Sequence, residues 1–200
     1  MPMWFNPLWI GMRLLRIGVW IAMVASVLML NLSINVQSAW TSESESAGGQ
    51  VPGWTVLEQQ LAAISANPEN PTAWNNLGQS LFSLGQISEA LLAYNHALMI
   101  SPDYSLVLAN RCGVLSQLEE YQLALQSCDL ALQVNHQWGA QGAALAWDNR
   151  GDVLFRLEDY QASLRSFEQA LTVNPNYQNA WRNREVVLSQ LAKMQSYPSD

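Results

Sequence analysis

Cys112 and Cys128 are the only cysteines in this 200-residue chain, and they sit at the two ends of the stretch CGVLSQLEEYQLALQSC. Such a pair suits metal ligation, thiol–disulfide exchange, a structural disulfide, or burial as two small apolar side chains. Metal ligation needs further Cys or His at short spacing, and the chain holds 2 histidines, His96 and His136, neither near the other. His96 is expected near the end of a helix facing outward, and His136 in a connector. Redox dithiols sit close together at a helix start, whereas these two fall within different helical patterns. The acidic pairs Asp148/Asp152 and Glu158/Asp159 have the spacing routine on solvated helix faces. No Gly-rich phosphate loop and no Ser with a nearby His is present. Catalysis is therefore not expected, and no cofactor or metal is implied.

The elements that must position these residues come from an internal repeat. NLGQSLFSLGQISEALLAYNHALMISP (76–102) and NRGDVLFRLEDYQASLRSFEQALTVNP (149–175) share an Asn, a small residue two places on, two helical patterns, an aromatic, Ala-Leu and a closing Pro. NRCGVLSQLEEYQLALQSCDLALQVNH (110–136) runs the same course between them. Asn70 followed by Pro71 is a helix start, with the side chain as N-cap and Pro in the first helical position. Repetition of this kind sets architecture before any site is considered.

The pattern resembles the tetratricopeptide repeat, a helix-turn-helix unit of about 34 residues. The first copy, 71–104, carries Trp74, Leu77, Gly78, Leu81, Ala90, Tyr94, Ala97 and Pro102 at the signature positions. The third, 144–177, carries Trp147, Gly151, Leu154, Ser163, Phe167, Ala170 and Pro175. The second, 105–143, is the most divergent: it carries Leu108, Cys112, Leu115, Ala124, Cys128 and Ala131, has His136 in place of the closing proline, and contains an insertion near 137–143. Residues 54–70 and 178–194 read as capping helices, since a repeat buries its apolar face only against its neighbours. The resemblance implies an all-α fold, a right-handed helix-turn-helix solenoid of three repeats plus caps. Antiparallel pairing within a unit sets Trp74 against Ala97, Gly78 against Tyr94, Leu81 against Ala90 and Gly151 against Phe167, the small residue admitting the large one.

In this family the first helices of the units line a concave groove that holds a peptide or a partner helix, so the resemblance implies a protein or peptide partner. The sixth position of each unit is Asn76, Asn110, Asn149 and, in the cap, Asn183, and an amide can both donate to and accept from a peptide backbone. Asn75, Gln79 and Phe82 are groove positions of the first unit and Leu106 of the second. Leu145, Asp148, Asp152 and Phe155 follow in the third, and Arg182 in the cap. Chaperone-binding members carry a basic clamp for a C-terminal carboxylate; here Asn75 stands in a lysine place, and Gly113 and Asp152 in other polar places. An acidic tail is thus a poor ligand, and a hydrophobic or mixed segment touching Phe82 and Phe155 is the better expectation.

The N-terminal part is of another kind. Residues 1–16 form a leader with Arg13 and Arg16, and 17–38 contain an uncharged apolar run, a transmembrane anchor or a cleavable signal peptide. An anchor makes this a hydrophobic helix ahead of the solenoid, with Trp4, Trp9 and Trp20 at the interface. No basic residue follows until Arg111, which places the repeats outside the cytoplasm, in a periplasm or a comparable lumen. Cleavage instead leaves a secreted domain. Residues 39–53, rich in Ser, Glu and Gly, are a flexible linker. With 9 basic and 16 acidic residues the net charge is −7, which argues against nucleic acid as a ligand.

The expected function is a non-catalytic, membrane-tethered interaction module. The repeats are similar to those of bacterial and cyanobacterial members, some of which assist photosystem assembly, so the resemblance implies an assembly factor or scaffold for a membrane complex. A thiol–disulfide redox protein using Cys112 and Cys128, and a self-associating scaffold, are the alternatives. Cys112 occupies the Gly position of its unit and Cys128 the aromatic position, the two places that face each other. A disulfide there, permitted by an oxidising compartment, and two free buried thiols both remain open at this point.

Overall fold

The structure is a computed structural model and describes residues 52–134, 138 and 142–196. The leader, the apolar segment 17–38 and most of the linker lie outside the described residues. Eight helices follow one another: α1 Pro52–Ala66, α2 Pro71–Ser83, α3 Ile87–Ile100, α4 Ser105–Gln117, α5 Tyr121–Gln133, α6 Ala144–Arg156, α7 Tyr160–Val173 and α8 Gln178–Ser196. Among the described residues there is no strand, and no helix is long and apolar enough to cross a membrane. The first cap begins at Pro52 and the last runs to Ser196, slightly beyond the ends expected from pattern.

Local chemistry explains the boundaries. Asn70 Oδ1 accepts from the Thr72 amide at 3.0 Å, with Pro71 opening α2, so one orphan donor of the helix start is satisfied and the next residue needs no N–H. Asp159 caps α7 in the same way, accepting from the Ala162 amide at 3.0 Å. The turn inside each unit is one motif used three times. Gly85, Glu119 and Glu158 have φ of 76°, 63° and 63°. The following amides of Gln86, Glu120 and Asp159 donate back to the carbonyls of Leu81, Leu115 and Leu154 at 2.9, 2.9 and 3.0 Å. This left-handed closure satisfies the last carbonyls of the first helix and is easiest for glycine, which only the first unit supplies.

The two helices of a unit meet along a seam of small against large. A Cβ on Gly78 would lie 2.6 Å from Tyr94 Cε1, and one on Gly151 2.6 Å from Phe167 Cε1. No side chain beyond hydrogen fits there, and both rings are fully buried. In the middle unit the same seam is covalent. A disulfide joins Cys112 to Cys128, whose Cα atoms are 5.4 Å apart, within the span such a bond requires. Both sulfurs are buried in a cluster with Leu115, Ala124 and Val153. Further along the seam sit Ala90, Ala97, Ala124, Ala131 and Ala170, all fully buried. Ser163 replaces alanine in the third unit, and its hydroxyl donates to the Gly151 carbonyl at 2.7 Å, as a buried polar group must.

His96 departs from the outward placement expected of it. It is 6 % exposed and its ring stacks on Trp74, centroids 4.1 Å apart and planes inclined by 16°. The indole of Trp74, tied to the Pro68 carbonyl at 2.8 Å, reaches across the seam beyond Ala97, and a flat imidazole is what covers it. Burial lowers the His96 pKa from its ordinary 6.5, against smaller raising effects of a backbone hydrogen bond and of Glu69. Its Nδ1 has no hydrogen-bond partner among the described residues.

A candidate partner-binding groove and the ladders beside it

Each first helix packs on the first helix of the next unit, α2 on α4, α4 on α6 and α6 on α8, while the second helices make no comparable contact with one another. Closer spacing on one side bends a stack toward that side, so the first helices form the concave wall. The expected groove residues are carried on α2, α4, α6 and α8.

The recurring asparagines have a role that their spacing alone did not reveal. Asn110 Nδ2 donates to Asn75 Oδ1 at 2.9 Å, Asn149 Nδ2 to the Ala109 carbonyl at 2.9 Å, and Asn183 Nδ2 to Asp148 Oδ1 at 3.1 Å. Every one reaches back to the residue just before the equivalent asparagine of the preceding unit. Where that residue has no side-chain acceptor, at Ala109, the amide takes the backbone oxygen instead. Gly113 makes this fit: a Cβ there would come within 3.2 Å of Asn149 Nδ2. Asn76 begins the series and only accepts a long 3.5 Å bond from Asn75.

A second series runs beside it, and sequence reasoning missed it. Arg150 Nε donates to Asp129 Oδ1 of the preceding unit at 2.7 Å, and its NH1 to Ser166 Oγ of its own unit at 2.8 Å. Arg111 makes the same own-unit bond, to Ser127 Oγ at 2.8 Å. Arg184 pairs with Glu168 at 3.7 Å. Arg150 and Arg184 also lie over the Trp147 and Trp181 rings, each 5.8 Å from the centroid. The signal was legible as the Asn-Arg pair repeated at 110–111, 149–150 and 183–184. Arg150 and Arg184 are therefore spent on joining units, whereas Arg111 bonds within its own.

The remaining groove positions divide. Asn75 and Asp148 are buried, and Asn76, Gln79, Phe82, Leu106 and Asn149 are half-buried. Leu145 packs on the cluster of Leu108, Ala109, Ala131 and Ala146. Phe155 meets Tyr160 edge to face at 5.3 Å and joins the Phe167 cluster, so it is more a wall of the core than a free contact. Arg182 is exposed and bonds Asn179. Asp152 accepts from Ser116 Oγ at 2.9 Å and lies 3.8 Å from Arg156. Asp148 has no such cation among the described residues, and burial lifts its pKa from 3.8 to about 6, with Asn183 lowering it and Asp152 raising it further.

Comparison with known proteins agrees with this geometry. Residues 71–104 and 144–177 each match a tetratricopeptide-repeat model. Protein FlbA of Caulobacter vibrioides is 32 % identical over 77 residues, 38 % of this chain and 13 % of that protein. Stress-induced-phosphoprotein 1 of Caenorhabditis elegans is 32 % identical over 83 residues, 40 % of this chain and 26 % of that protein. The chain thus spans about an eighth and a quarter of those relatives. Among solved structures, the first tetratricopeptide domain of Spaghetti (RPAP3) bound to the HSP90 peptide SRMEEVD has a TM-score of 0.55 at 22 % identity, covering 62 % of this chain and 94 % of that one. The Sgt2 domain of Aspergillus fumigatus has a TM-score of 0.57 at 21 % identity, covering 65 % and 86 %. The second domain of human RPAP3 with the HSP70 peptide SGPTIEEVD has a TM-score of 0.50 at 19 % identity, covering 59 % and 98 %. Residues 71–104 and 144–177 are thus tetratricopeptide repeats, and with the unit between them folded alike the described part of the chain has the fold of a tetratricopeptide solenoid.

Proposed function

We propose that this chain is a non-catalytic interaction module that holds a peptide or a helix of a partner protein against its first helices. The observation that carries this reading is the make-up of the concave wall. Half-buried Gln79, Phe82 and Leu106 stand on it, and amides with unspent hydrogen-bonding valence run beside them. Neighbours of the same fold hold chaperone peptides, which makes peptide binding a use this architecture supports.

In this reading the segment 17–38 tethers the module to a membrane, the repeats face the exoplasmic side, and the partner belongs to a membrane complex whose assembly the module assists. A disulfide inside the middle unit fits an oxidising compartment. A photo-crosslinking residue at Gln79 in the full chain, expressed in its native membrane, should capture a protein partner, while one at Leu123, exposed on α5, should not. Capture from Leu123 alone would refute the groove. In sealed inverted membrane vesicles, the repeats should resist protease until detergent is added; digestion without detergent would refute the exoplasmic placement.

A further inference from the structure

The ladder of asparagines has a polarity, and it decides what the groove can recognise. Asn149 gives a hydrogen to a backbone carbonyl and Asn183 gives one to a carboxylate, acceptors that leave the amide no other orientation. Each step therefore spends a donor and leaves the amide oxygen, with its lone pairs, unspent. The free valence along the third unit is weighted toward acceptors.

Asp148 lies in the middle of that stretch. It is 7 % exposed and Asn183 Nδ2, a neutral donor on its Oδ1, is its one hydrogen-bond partner among the described residues. The second oxygen, Oδ2, accepts no hydrogen bond from the described residues. A carboxylate so enclosed ordinarily has an ion partner or several donors. The charged groups near it give no relief. Asp152, one helical turn along, adds like charge and is itself held by Ser116 and Arg156. Tyr177 is pushed up chiefly by burial and secondarily by the same carboxylate. Arg182 is turned to Asn179, and Arg150 and Arg184 are committed to Asp129 and Glu168.

Resting on the groove reading above, we propose that the third repeat is a cation-specific subsite, in which Asp148 Oδ2 and the amide oxygens of Asn149 and Asn183 receive the guanidinium or ammonium of an Arg or Lys in an extended segment of the partner. A guanidinium brings five N–H donors in a fixed fork, and this subsite offers acceptors. The neighbours of known structure hold peptides ending in Glu-Glu-Val-Asp, the opposite charge, so this chain selects against such tails as well as for basic segments. Like-charge contact supplies that rejection.

The test uses the full chain and four pools of N-acetylated, C-amidated octapeptides, random except for a central Arg, Lys, Gln or Glu. Retention should be at least tenfold higher for the Arg and Lys pools than for the Glu pool. Asp148→Asn should remove that preference, and Glu120→Gln, on the exposed turn before α5, should leave it intact, which separates the subsite from the net charge of −7. Melting curves of both variants verify the fold. Equal retention of all four pools, or a preference that survives Asp148→Asn, overturns the cation subsite and leaves the peptide groove standing. Retention of no pool overturns both.

Discussion

Arg150 Nε meets Asp129 Oδ1 at 2.7 Å, and that bond fastens the third repeat to the second. Its counterpart one unit earlier is incomplete. Arg111 Nε is buried with no hydrogen-bond partner among the described residues, and a neutral Asn95 stands in the first repeat where the carboxylates of Asp129 and Glu168 stand in the next two. Asn95→Asp should therefore supply a charged acceptor like those of the later units and stabilise the fold by about 0.5–1 kcal/mol at neutral pH and low salt. Urea unfolding measures it, and the gain should shrink in molar salt. A neutral or destabilising result would show that the arginine geometry of the first junction differs from that of the second.

The asparagines hold units together before they hold any partner. Asn149→Ala should cost about 1 kcal/mol, one net hydrogen bond, and Asn183→Ala somewhat more because it leaves Asp148 with no donor. Asn76→Ala should be nearly neutral, since that side chain makes only a 3.5 Å contact. Equal losses at Asn76 and Asn149 in chemical denaturation would contradict the ladder. Any loss of partner binding in the Asn149 variant must be read against its loss of stability.

The disulfide of the middle unit should be worth about 3 kcal/mol in the chain-entropy model, for a sequence separation of 16. Cys112→Ala with Cys128→Ala should lose most of this. Cys112→Gly with Cys128→Phe rebuilds the seam used in the third unit and should recover part of it without a covalent bond. Because both sulfurs are buried, reductant should act only after the repeat opens, so the reduction rate should follow the unfolding rate. Rapid reduction of the folded chain by a mild thiol would instead favour a redox role for the pair.

Two buried groups pull the acid limb of the stability curve in opposite directions. Asp148 has its pKa raised from 3.8 to about 6 by burial, so the folded state binds the extra proton between those values. Its favourable contribution is full below pH 3.8 and is lost as pH rises through 6. Asp148→Asn keeps an acceptor for Asn183 and should add about 2 kcal/mol above pH 6, falling to nothing near pH 4. His96 is shifted the other way, below 6.5, by burial. Its contribution is full above pH 6.5 and is lost as pH falls through the lower folded value. His96→Phe, which retains a ring on Trp74, should flatten the loss on acidification. Denaturation between pH 4 and 8 resolves both, and a parallel shift of the Asp148→Asn curve at every pH would refute the first.

The internal repeat and its resemblance to the tetratricopeptide unit were enough for the solenoid, its helix pairs and the small-against-large seam. Gly78, Gly151 and their aromatic partners recur at set places because each unit must bury the same face against the same neighbour. The meeting of Cys112 and Cys128 was legible for that reason. The tertiary structure decided what the polar positions do. Whether Asn149 or Asn183 addresses a ligand or the preceding repeat depends on how far one first helix lies from the next, a distance no spacing along the chain encodes. His96 was misplaced for a related reason: burial followed from the reach of the Trp74 indole across the seam, a contact between side chains rather than a pattern within one helix. Asp148 looked like one more acid on a solvated face. Stacking of α8 on α6 buried it and, among the described residues, gave it a single neutral donor.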